Sequence, residues 1–95
     1  MTDENLVREE PHRLGGTMRI YRFPDGHGLS MISSPQAHDF PFAWEAAVLW
    51  RVKKDGGGGR IQYTTPLTRS VEVFYSDDEA NEFIDRARKM FVRKH

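Results

Sequence analysis

The chain has no cysteine and no net charge: 14 Lys and Arg balance 14 Asp and Glu over 95 residues. The first absence excludes disulfides, thiolate zinc sites and cysteine nucleophiles. The second removes any global field that would draw in nucleic acid or a membrane surface. Long apolar runs are missing as well. None approaches the roughly 18 residues of a membrane span, and the charged N-terminus lacks the apolar core of a secretory signal. A cytoplasmic protein is expected.

Pattern is strongest in the C-terminal third. Val71 to Tyr75 alternate as a strand does, and a helix signal follows at once. Ser76 suits an N-cap, and Glu79 lies three residues on, the spacing of a capping box. Asp77 and Asp78 place negative charge at the positive end of the helix dipole. Ala80, Phe83, Ile84, Ala87 and Phe91 then fall on one stripe. This predicts a helix that covers one face of a sheet.

Residues 1–16 are expected to form a disordered tail. They hold few large apolar side chains, and Pro11 and Gly15-Gly16 interrupt any pattern, so little burial offsets the entropy of ordering them. Residues 17–95 read as a single domain. Thr17 to Phe23 and Gly28 to Ser33 are strands joined by the turn chemistry of Pro24-Asp25-Gly26-His27-Gly28. Ala43 to Lys53 suits a helix or a strand. The strand is favoured, because Asp55 and four glycines resemble a hairpin connection to a strand over Arg60 to Thr65. The expected fold is α+β: a four- to five-stranded, mainly antiparallel sheet with one C-terminal α-helix packed on one face.

Strand periodicity assigns the faces. Ile20, Leu29, Met31, Ala46, Val48, Trp50, Ile61, Tyr63, Val71 and Val73 are expected under the helix. The other face would carry Arg19, Tyr21, Ile32, Glu45, Leu49, Arg51, Arg60, Gln62, Glu72 and Phe74. Aromatic residues and arginine are enriched in protein interfaces. Tyr21, Leu49, Arg51, Arg60 and Phe74 are therefore the expected partner-binding residues.

Catalytic chemistry has little support. The glycine run leads to Arg60-Ile61 and a strand, whereas a phosphate loop needs Gly-Lys-Ser/Thr and a helix. His27 and His38-Asp39 lie on loops without a nucleophile elbow, and with Asp25 they match no metal-ligand spacing. No enzyme activity, cofactor or metal is expected. Arg86, Arg88, Lys89, Arg93 and Lys94 make the second half of the helix basic. They complement the dipole and offer an alternative surface for nucleic acid.

Several segments, in order, resemble a group of small uncharacterised phage and prophage proteins. They are Tyr21 to Ile32, Trp44-Glu45-Ala46-Ala47-Val48-Leu49, Tyr63-Thr64-Thr65-Pro66-Leu67-Thr68 and Asp77-Asp78-Glu79, within residues 18 to 91. Thr64 stands where the group often has aspartate, and Arg69-Ser70 where it often has Asp-Asp. The resemblance implies a phage origin and transfers no active site. By analogy, a phage accessory protein of this size binds a host protein or ribonucleoprotein complex. Inhibition of a defence system such as a CRISPR effector is one concrete form. The alternative is a nucleic-acid-binding accessory protein that uses the basic half of the helix.

Overall fold

A computed structural model describes residues 5–11, 15–33, 44–61 and 72–92. The elements are β1 (Leu6–Pro11), β2 (Thr17–Arg22), β3 (His27–Ser33), β4 (Trp44–Trp50), β5 (Arg60–Ile61), β6 (Glu72–Phe74) and α1 (Asp77–Met90). They make one antiparallel sheet in the order β1-β2-β3-β4, with β5 and β6 both paired to the far edge of β4. Helix α1, the one helix among the described residues, packs on one face, as the α+β reading expected. Within the segment expected as a strand, Trp44–Trp50 form β4. Among the described residues no helix is long and apolar enough to cross a membrane.

One turn, built twice, organises this sheet. In Phe23–His27 the N–H of Gly26 donates to Phe23 O at 3.0 Å and the N–H of Phe23 to His27 O at 2.8 Å. In Lys53–Gly57 the corresponding bonds, Gly56 to Lys53 and Lys53 to Gly57, are both 2.9 Å. Each turn contains Asp-Gly. The aspartate Oδ1 accepts from the second N–H beyond it, His27 or Gly57, at 2.9 Å. The glycines adopt φ of 94° and 87°, which an L side chain rarely does.

The first turn also sets which side chains share a face. Its loop is three residues long, so paired residues have the same parity: Tyr21 opposes Leu29, and Ile20 opposes Ser30. Leu29 in turn opposes Val48. The face assignment above is therefore corrected. Tyr21 joins Phe23, Leu29, Met31, Ala46 and Val48 beneath Ala80, Phe83, Ile84, Ala87 and Phe91 of α1. Phe74 packs on the same cluster, its ring 4.9 Å from that of Phe83. Ile20 belongs instead to a second cluster with Leu49 and Val52, flanked by Val7 and Met18. Ile61 and Val73 pair with Leu49 and Glu45 and share that second face.

The disordered tail is corrected as well for residues 6–11. They form β1, paired with β2 and carrying a register shift between Leu6 and Arg8. Backbone pairing with β2 orders this largely polar strand, and Leu6 and Val7 at its start pack on the two hydrophobic clusters. Asn5 adds bonds at its start. Its carbonyl accepts from Arg22 N–H at 2.8 Å, its amide donates to Arg22 O at 3.2 Å, and its Oδ1 accepts from Arg88 Nε at 2.8 Å. The edge strand is thereby tied to the last turn of the helix.

The helix starts as expected. Ser76 is the N-cap, and its hydroxyl accepts from the Glu79 N–H at 3.2 Å. Trp44 Nε1 donates to Asp77 Oδ1 at 2.8 Å and pins this end to β4. Asp85 pairs with Arg88, three residues on along the helix.

Candidate functional site

The five expected partner-binding residues do not share a surface. Tyr21 is 4% exposed beneath the helix, and Leu49 is 7% exposed on the opposite face. Phe74 is half-buried on Phe83. Arg51 and Arg60 are exposed, and the fold does bring these two together. They line an open groove of about 500 Å³ with Trp50, Lys53 and Gly58. His38, Asp39, Gln62, Tyr63, Val71, Arg93 and Lys94 lie outside the described residues.

The groove forms where β4 leaves the sheet. Trp50 pairs with His27 on one side and Arg60 on the other, so the three share the helix-bearing face. The helix ends before it covers Trp50. Phe91 at its C-cap stacks on the His27 ring at 4.2 Å and 15°, and His27 lies 4.5 Å from the Trp50 ring. Asp25 holds His27 in this position, with Oδ2 at 2.8 Å from Nδ1. The outermost ring, Trp50, stays 38% exposed. Gly26 brings no side chain to this point, and a Cβ there would lie 3.6 Å from the indole.

Arg51 turns the chain out of the strand at φ 61°, a left-handed conformation that costs a non-glycine residue roughly 1–2 kcal/mol. Val52 then enters the second cluster, with its N–H bonded to Gly26 O at 3.2 Å and its carbonyl to Arg22 Nε at 2.9 Å. These contacts fix Arg51 and Lys53 on either side of a buried anchor. Among the described residues no carboxylate pairs with Arg51, Lys53 or Arg60. Asp55, the nearest acid in sequence, is held in its turn by Gly57 N–H. The result is a partly exposed indole bordered by cations.

Two other constellations are already satisfied from within. A cavity of about 150 Å³ lies under the first turns of α1, lined by Arg19, Tyr21, Trp44, Asp77 and Asn81 among others. Arg19 stacks on Trp44 at 5.0 Å and pairs with Glu9. Burial opposes the Arg19 charge, but its hydrogen bond and attraction to Glu9, with a contribution from Tyr21, outweigh this and hold the guanidinium above its ordinary range. The Asp25–His27 pair positions a ring between two other rings. Among the described residues no three His, Asp or Glu side chains gather as a metal site.

Charge is segregated despite the zero total. The Trp44 end of the sheet and the first half of α1 carry Glu9, Glu10, Glu45, Glu72, Asp77, Asp78, Glu79 and Glu82 against Arg19 and Arg8, the latter paired with Glu10. The Trp50 end and the second half carry Arg22, Arg51, Lys53, Lys54, Arg60, Arg86, Arg88 and Lys89 against Asp25, Asp55 and Asp85. Seven residues of β4 separate the ends by about 20 Å. That is more than twice the Debye length of about 8 Å at physiological salt. Each end therefore presents its own field.

Trp50, Lys53 and Gly58 were not among the expected site residues. The signal was the local run Trp50-Arg51-Val52-Lys53-Lys54, a tryptophan among cations just before the glycines. Comparison of the chain with protein-family models, with curated proteins and with solved structures returns no match.

Proposed function

We propose that the protein is a binding module for single-stranded nucleic acid, with the site at the Trp50 groove. The observation that carries this reading is the Trp50 ring, 38% exposed, among Arg51, Lys53 and Arg60. Single strands offer bases that stack on an aromatic platform and phosphates that meet the flanking cations. The alternative drawn from the sequence had the same ligand on the basic half of the helix; Arg86 and Lys89 would extend the groove's field. A phage-type protein acting on a host ribonucleoprotein is a narrower version of the reading, since exposed guide or template strands present the same chemistry to Trp50.

The test is fluorescence titration with short oligothymidine and oligouridine. Trp44→Phe leaves Trp50 as the only tryptophan reporter. Stacking should quench its emission and saturate. Trp50→Ala, followed by anisotropy of a labelled strand, should weaken binding about five- to 150-fold, the equivalent of about 1–3 kcal/mol per stacked base. Saturable binding that is unchanged in both Trp50→Ala and Arg60→Glu would reject the groove as the site. No binding by the wild-type protein at low salt would reject the ligand class.

A further inference from the structure

The groove selects a flat ring flanked by negative charge, and the opposite end of the same chain displays one. Tyr75 is 61% exposed between Glu72 and the Asp77-Asp78-Glu79 start of the helix. We propose that two copies associate head to tail, the Tyr75 segment of one seated in the Trp50 groove of the next. The ring would stack near Trp50 while Asp77 and Asp78 meet Arg51 and Arg60. The inference rests on the groove being an aromatic–anion site and not on nucleic acid being its ligand.

Geometry makes the contact intermolecular. Tyr75 follows β6, which pairs with the Trp44 end of β4, about 20 Å from Trp50. No chain can fill its own groove this way. The contact is heterologous: the two surfaces differ, so a pair still presents one groove and one segment to further copies. Charge complementarity steers the encounter and weakens with salt. Nucleic acid and a second copy would then compete for one site, and dilution or strand binding would dissolve the assembly.

Sedimentation velocity tests this on two full-length variants. Tyr75→Ala with Asp78→Lys removes the segment, and Arg51→Glu with Arg60→Glu removes the groove. Asp78 is chosen over Asp77 because Asp77 bonds Trp44. The wild type should show concentration-dependent association at about 50 mM salt that is lost by about 300 mM. Each variant alone should be monomeric and folded, the segment variant unfolding at a modestly lower temperature because Asp78→Lys reverses a charge in the first turn of α1. Mixed, the two should form a 1:1 heterodimer that cannot extend, because only one competent groove and one competent segment remain. A wild type that stays monomeric at low salt, or variants that associate as the wild type does, would overturn the proposal. Failure of a mixture of the variants to pair would also overturn it. Oligonucleotide binding to the segment variant separates the two readings: it should equal or exceed the wild type if the groove binds strands, and be nil if only self-association is real.

Discussion

At the scale of single residues, Arg51 is the position where stability and site conflict. Its φ of 61° suits glycine, and a left-handed non-glycine residue costs roughly 1–2 kcal/mol. Retained strain of this kind is a feature of functional positions. Arg51→Gly and Arg51→Ala remove the same charge, so comparing them isolates the backbone. Arg51→Gly should be about 1 kcal/mol more stable than Arg51→Ala in urea unfolding, while both bind oligonucleotide more weakly than the wild type. Equal stabilities would show that the left-handed turn after Trp50 is not held in solution. The cap is the other single-residue test. Ser76→Ala removes the acceptor of the Glu79 N–H and should cost about 1 kcal/mol. Ser76→Asp should restore most of it.

At the scale of elements, what was legible in the chain was what local chemistry decides. The cap and stripe of α1 are written in adjacent residues, so Ser76 and the buried set of Ala80, Phe83, Ile84 and Ala87 emerge as read, whereas the helix ends at Met90, short of the Arg93 and Lys94 that the sequence reading assigned to it. The faces of the strands were not legible, because they depend on a hairpin's register. A two-residue loop in place of Pro24-Asp25-Gly26 would have put Ile20 opposite Leu29, whereas the three-residue loop puts Tyr21 there. That one step moved Tyr21 from a binding surface into the core. Strand β1 was missed for a different reason. Arg8, Glu9 and Glu10 hide it from any hydrophobic pattern, yet its backbone bonds are made with β2, and Glu9 finds Arg19. Removing residues 1–16 should therefore destabilise the domain by at least about 3 kcal/mol, from lost packing of Leu6 and Val7 and the bonds of Asn5. A chemical-denaturation midpoint unchanged by the truncation would return those residues to the status of a dispensable tail.

At the scale of the whole molecule, net charge is a poor guide to what the surface does. Composition argued against nucleic acid because positive and negative residues balance. The fold sorts them toward opposite ends, and salt screens each end from the other. Salt dependence measures the local charge rather than the sum. If Arg51, Lys53 and Arg60 each neutralise one phosphate, the logarithm of the binding constant should fall against the logarithm of salt with a slope of about −2, at roughly −0.7 per phosphate for a single strand. Arg60→Gln should bring the slope to about −1.4, and Lys89→Gln, beyond the lining of the groove, should change it less. A neutral protein without a localised site would give a slope near zero in all three. Self-association adds a further signature. A neighbour's carboxylates compete with the strand most strongly at low salt, which flattens the wild-type slope there. The Tyr75→Ala, Asp78→Lys variant should restore a straight line. Curvature that persists in this variant would place the competing charge somewhere other than the Tyr75 segment.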